Sequence, residues 1–315
     1  MKPSLKTSSI SLVSVLLCIA CTPKHPSSQF PMAIDSTLQS IVQHHVSSST
    51  QRIQAEWGLG ILLNMQNNSV RAIYCTDTIV NYTHEPLEMG TIMQPFTILA
   101  ALCSGNISYD ATDTVITIQN MIAISSTNAT CALASQAYAN NPIKVLEFIQ
   151  NTGTDIEIDT TTITSITDIS SLYYGYHYNI APIQLMSLYA NLAKNQLECD
   201  TLAQQLICQG LHDVVWNDKI GTASITPWGT PKAQSSLVTI AGKTGSAQIY
   251  RDGKYHNNLH RISFIGYFPE DNPQYLCLVI LNAPSKFPYD AGTDCGGCIR
   301  KIAEEIYSET TIKCN

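Results

Sequence analysis

The groups in this 315-residue sequence that could do covalent chemistry are hydroxyls, carboxamides and one amine, gathered in three short stretches. Thr91 stands three residues before Gln94, and Ser126 stands two before Asn128. Lys243, Thr244, Gly245 and Ser246 are consecutive, with Gln248 shortly after. A hydroxyl attacks a carbonyl when a neighbouring base takes its proton, and a lysine is such a base only when its surroundings keep it neutral. A serine three residues before a lysine at the start of a helix would place hydroxyl and amine on one face, one turn apart. None of the twelve lysines has a serine at that spacing. Thr310 before Lys313, at the far C-terminus, comes nearest. Each stretch also has an ordinary reading. Ser126 suits the N-cap of a helix from Ala129, Thr91 suits another cap, and Lys243-Thr244-Gly245 suits a strand end.

The other reactive side chains point to no metal or cofactor. The sequence holds eleven cysteines. Cys295-Gly-Gly-Cys298 has redox-motif spacing but no surrounding βαβ pattern, so a local disulfide or a pair of buried thiols is the reading. His256 and His260 are four apart in a strand or loop context. No histidine pair is spaced with the cysteines as in a zinc site. His44 and His45 read as a solvated helix face.

The elements that must position these groups begin after a leader. Lys2 and Lys6 precede an 11-residue apolar run, Ile10 to Ala20, the length of a signal-peptide core. Ala20 followed by Cys21 resembles a bacterial lipoprotein cleavage site, with Cys21 as the lipid-bearing residue. Cys18 departs from that pattern where leucine is preferred. Residues 1–21 are thus expected to be a signal segment and 22–31 a polar linker, with a folded domain over 32–310. Export follows, with a membrane tie through the lipid or the N-terminal segment. Without Cys18 and Cys21 nine cysteines remain, so in an oxidising compartment at least one stays unpaired.

Apolar residues make up 44% of the chain, ample for a core, and charged residues only 13%. A net charge of −7 argues against nucleic-acid binding. Helices are predicted near Leu38–Val46, Met93–Leu102, Ala129–Ala139, Ile143–Gln150, Pro182–Ala193, Leu202–Leu211 and Cys298–Tyr307. Strands are predicted at Gly58–Leu63, Ser69–Cys75, Leu237–Ala241, Ile262–Tyr267 and Tyr275–Leu281. Residues 154–170 show no clear period. Strands, then helices, then strands and a last helix make an α+β chain: an antiparallel sheet flanked by helices, plus a mostly helical lobe.

Taken in order, six segments resemble the transpeptidase module of penicillin-binding proteins. They are Met32-Ala33-Ile34-Asp35, Glu88 to Phe96, Ser126-Thr127-Asn128, Tyr178 to Leu185, Lys243 to Gln248 and Ile262 to Pro269. Each alone is weak, but the six in family order cover nearly all of the chain after the leader. The resemblance implies a serine that attacks the D-Ala-D-Ala amide of a peptidoglycan stem peptide, or a β-lactam ring. It places the nucleophile and its lysine at Thr91 and Gln94, and the relay serine and amide contact at Ser126 and Asn128. The Lys-Thr-Gly strand falls at Lys243, Thr244 and Gly245, beside Ser246 and Gln248. Thr244 would bind the substrate carboxylate, and the N–H groups of Thr91 and Ser246 would form the oxyanion hole. The substrate would add to the strand edge.

The sequence departs from the family at its centre. Threonine adds a methyl to the attacking carbon, and glutamine cannot accept a proton near neutrality. Losing a general base costs about 10²–10⁴ in rate. The expectation is a binding pseudoenzyme of the cell envelope that holds a stem peptide, a β-lactam or another cell-wall synthesis protein. The alternatives are a working D,D-transpeptidase or carboxypeptidase using Thr91, or a non-covalent β-lactam binder.

Overall fold

The computed structural model describes residues 30–107, 116–138, 141, 143–152, 157–158 and 165–313. The leader, Cys21 and most of the linker lie outside them. Among the described residues no helix is long and apolar enough to cross a membrane.

Five strands form one antiparallel sheet in the order β2-β1-β7-β6-β5. They are β1 (Trp57–Asn64), β2 (Ser69–Cys75), β5 (Ala241–Arg251), β6 (Lys254–Phe268) and β7 (Tyr275–Asn282). The runs Trp57–Leu63 and Leu276–Asn282 are buried without interruption, as strands covered on both faces must be. They lie side by side, with Leu59 opposite Ile280 and Ile61 opposite Leu278. α1 (Ser36–Arg52) packs on β1 and β2 and against the closing helix α9 (Gly297–Lys313), so the two ends of the fold meet.

Between the early and late strands lies the helical lobe. It comprises α2 (Gln94–Cys103), α3 (Ile118–Ala123), α4 (Thr127–Ala137), α5 (Lys144–Asn151), α6 (Ile166–Leu172), α7 (Pro182–Ala193) and α8 (Thr201–Trp216). A two-stranded ribbon of β3 (Glu157–Ile158) and β4 (Tyr178–Asn179) joins them. α2 packs on α4, α5 and α8, and α8 packs on α3 and on β5. The α+β reading agrees with this arrangement. Pro182 opens α7 in its first turn, where a missing N–H costs nothing.

Three features differ from the sequence reading. Leu237–Ile240 is not a strand, because its carbonyls go elsewhere: Thr239 O accepts from Glu270 N at 3.1 Å and Ile240 O from the Trp216 indole at 2.9 Å. β6 starts at Lys254, eight residues before the apolar run. Asp252 and Gly253 both have positive φ (54° and 79°) and form a two-residue hairpin loop joining β5 to β6. Helices α3 and α6 are short pieces whose few apolar residues give no legible period. Cys295 and Cys298 are buried free thiols.

Candidate active site

The edge strand β5 organises the site. Its backbone pairs with β6 on one side only. Thr244 O and Gln248 N both make bonds away from β6. Ser246 lies midway between them in the two-residue alternation, so its N–H and C=O point to the same side, where the Gly90 turn covers the carbonyl. The turn Gly90–Met93 leads into α2 against this edge. Gly90 has φ 59°, and a Cβ there would stand 2.1 Å from Ser246 O, so only glycine lets the turn approach so closely.

Thr91 follows directly. It is partly exposed, and its hydroxyl faces Thr244 O at 3.5 Å, the limit of a hydrogen bond. Gln94, one turn on, is fully buried. Its Nε2 donates to Thr130 Oγ1 at 3.1 Å, and its Oε1 accepts from Ser125 Oγ at 3.0 Å. The carboxamide is therefore a strut between α2 and the start of α4.

Lys243 is also fully buried. Its ammonium donates to Ser125 Oγ at 2.6 Å and to Thr244 O at 2.9 Å. No ion pair described for the chain includes it. Burial without a carboxylate partner brings its pKa down to about 7. The donors run in one direction, from Lys243 to Ser125 to Gln94, and end on an amide oxygen.

The serine hydroxyl that Lys243 bonds is Ser125, one residue before Ser126. Ser125 has φ 57°, which turns its side chain towards α2 and β5. Ser126 then takes extended N-cap geometry and spends its hydroxyl on Ala129 N at 3.3 Å. Asn128 sits exposed on the first turn of α4. Of two adjacent serines before a helix, only one can cap it, and that doublet was the available signal. Thr130 and Thr222 were missed altogether. Thr222 Oγ1 lies 2.8 Å from Thr244 Oγ1, so the Thr244 hydroxyl already has a protein partner. Gly245 is packed, and a Cβ there would stand 2.5 Å from Ser263 Oγ. Ser246 is exposed at the edge.

Beyond Ser246 the edge is capped, because Gln248 N donates to the Tyr176 hydroxyl at 2.8 Å. Tyr176 meets Tyr174 and Tyr255 edge to face, and Tyr255 meets Tyr250 likewise. Glu88 ties this aromatic group to the turn before Thr91. Its Oε1 accepts from Tyr255 Oη at 2.7 Å and from His177 N at 3.0 Å.

Comparison with known proteins matches the chain to one family. A model of the penicillin-binding protein transpeptidase domain matches residues 113–304, a span that holds Ser125 and Lys243. The transpeptidase domain of penicillin-binding protein 3 from Burkholderia pseudomallei aligns with a TM-score of 0.72 at 18% identity, covering 90% of this chain and 98% of that one. Penicillin-binding protein 3 of Mycobacterium tuberculosis, solved with aztreonam, gives 0.72 at 16% identity over 89% of this chain and 78% of that one. At these identities the likeness speaks to the fold. Stage V sporulation protein D of Bacillus subtilis is 35% identical over 74 residues, 24% of this chain and 12% of that protein. The peptidoglycan D,D-transpeptidase FtsI of Buchnera aphidicola is 21% identical over 352 residues, 90% of this chain and 59% of that protein. The chain thus spans less than two thirds of these curated relatives. With a family model matched over residues 113–304, more than half of its length, the chain belongs to the penicillin-binding protein transpeptidase domain family.

Proposed function

We propose that this domain binds the D-alanyl end of a peptidoglycan stem peptide, or a β-lactam, at the β5 edge without turning it over. The observation that carries the reading is Gln94. It stands one turn after Thr91, where the family resemblance puts a lysine, and it is buried with both ends of its carboxamide bonded. It cannot take the proton of an attacking hydroxyl. The Thr91 hydroxyl meets a carbonyl oxygen, which cannot serve as a base at neutral pH. The binding side retains an open Ser246 N–H and a buried amine.

Incubation with a fluorescent penicillin is expected to leave the intact mass unchanged, while a stem pentapeptide ending in D-Ala-D-Ala gives a saturable calorimetric isotherm. An adduct on Thr91 would overturn the reading. The double variant Thr91→Ser with Gln94→Lys is expected to gain penicillin acylation. If that variant stays inert while folded, the assignment of these two positions fails.

One observation favours a second reading, slow acyl transfer by Thr91. Lys243 has a pKa of about 7, so a good part of it is a neutral amine at physiological pH. That reading requires release of D-alanine from the peptide, abolished by Thr91→Ala. The cell envelope is the proposed location, through the signal-like leader and lipidation at Cys21. Other cell-wall synthesis proteins are the proposed protein partners.

A further inference from the structure

Between α8 and β5 the chain forms a small finger. Ala233 N donates to Ala223 O at 2.9 Å, and Lys232 N donates to Ser224 O at 2.8 Å. Ile225 then bridges Pro231, and Thr226 N donates to Thr230 O at 2.8 Å. Pro227, Trp228 and Gly229 are the tip. Pro227 presets the turn, Gly229 takes φ 77°, and Gly229 N donates to Thr226 O at 2.9 Å. The Thr226 hydroxyl accepts from Thr230 N at 3.1 Å. The stem is anchored to the domain. Ala223 and Ala233 are fully buried beside Gly296. Arg300 Nε donates to Lys232 O at 3.0 Å. Ser224 Oγ and Gln234 Nε2 each donate to Asp218 Oδ1 at 2.6 Å.

On this fixed tip Trp228 is 91% exposed, whereas Trp57 is 5% exposed. An indole in water on so well-bonded a turn is not a frayed core residue, and a preformed turn loses little freedom on meeting a partner. Charge and chain path say which partner. None of the chain's 24 acidic residues lies between Lys219 and Arg251. The carboxylates that do meet the stem, Asp218 and Asp290, are held there by Ser224, Gln234 and Lys232. The tip is thus free of the negative charge that keeps the rest of a −7 chain from an anionic surface. The chain leaves the finger past Leu237, 57% exposed, and enters the sheet at Ala241. That is the end of the sheet where the leader side enters. Met32 bridges Val70, and across the sheet Val70 lies opposite Leu63, Asn64 opposite Tyr275 and Ala241 opposite Tyr267. Residues 22–29 are all that separate Cys21 from Phe30, a reach of about 30 Å when extended.

We propose that the Trp228 finger rests in the headgroup layer of the bilayer to which the leader ties the chain. Tryptophan suits that layer, with its ring against the acyl carbons and its N–H among the polar groups. Leader and finger are then two attachments, and two attachments fix which way the domain faces. The finger springs from Thr222, whose hydroxyl lies 2.8 Å from that of Thr244, so the same contact orients the β5 edge relative to the membrane. This inference rests on the membrane tie proposed above.

The test mixes the full chain with vesicles of phosphatidylethanolamine and phosphatidylglycerol, with and without dibrominated phosphatidylcholine. Vesicle flotation reads attachment. The difference in emission between wild type and Trp228→Phe isolates Trp228 from Trp57 and Trp216. On vesicles the Trp228 emission is expected to shift to the blue, to lose intensity to the bromolipid and to escape quenching by aqueous iodide. A chain that floats with the vesicles while Trp228 stays quenched by iodide and untouched by bromolipid keeps the membrane tie and overturns the finger proposal. A chain that stays in solution overturns both. Shielding of Trp228 that grows with protein concentration in the absence of vesicles also overturns the proposal, since the indole then meets a second copy of this chain.

Discussion

Lys243, Ser125 and Gln94 form a hydrogen-bonded row with a donor at one end and an acceptor at the other. A lysine at position 94 would put a second cation beside Ser125, and the two would compete for its oxygen. With glutamine there, Lys243 keeps the serine oxygen to itself, and the row loses any group at position 94 able to hold a proton. The Ser125 assignment can be separated from the Ser126 one. Ser125→Ala removes an acceptor from a buried ammonium, so the charged form is disfavoured further and the Lys243 pKa falls below its value of about 7. Ser126→Ala removes a helix cap, costs about 1 kcal/mol of stability and leaves that pKa in place. Nζ titration by nitrogen NMR reads the first effect and urea denaturation the second. A Lys243 shift in Ser126→Ala but not in Ser125→Ala would reverse the assignment.

The edge of β5 is the element that decides how much ligand backbone can be added. Thr244 O already accepts from Lys243 and Thr91, and Gln248 N is taken by Tyr176. Between them the Ser246 carbonyl is covered by the Gly90 turn and only its N–H is left, so an added peptide pairs over a short length and its more distant residues meet tyrosine rings. Tyr176→Phe keeps the ring packing against Tyr174 and Tyr255 and removes the cap on Gln248 N. An extended stem peptide then gains one backbone bond, worth about 1 kcal/mol, or roughly fivefold in affinity. Calorimetry with the pentapeptide reads this. Weaker binding would instead make the Tyr176 hydroxyl a ligand contact.

For the whole molecule, Lys243 ties folding to pH. The lysine has a pKa of about 7 when folded and the ordinary 10.5 when unfolded. Between these values the unfolded chain binds one proton more, so stability rises with pH across the window by about 1.4 kcal/mol per unit. Below pH 7 both states hold the proton and this slope vanishes. Lys243→Met should remove the term, so in urea titrations from pH 7 to 9 the wild type should gain unfolding free energy over the variant by about 1.4 kcal/mol per unit. Parallel curves would mean that Lys243 titrates as an exposed lysine. The same molecule shows where sequence reasoning reaches. The uninterrupted apolar runs Gly58–Leu63 and Tyr275–Leu281 and the proline-opened helix at Pro182 are legible because local period and length reflect burial directly. The lack of any serine three residues before a lysine is likewise a fact of spacing that no folding can change. Three things came only from tertiary structure: which of Ser125 and Ser126 meets Lys243, the diversion of the Thr244 hydroxyl to Thr222, and the lowered pKa of Lys243. Each depends on segments far apart in the chain, since a backbone turn at Ser125 and the desolvation of β5 by the helical lobe arise only when those segments pack together.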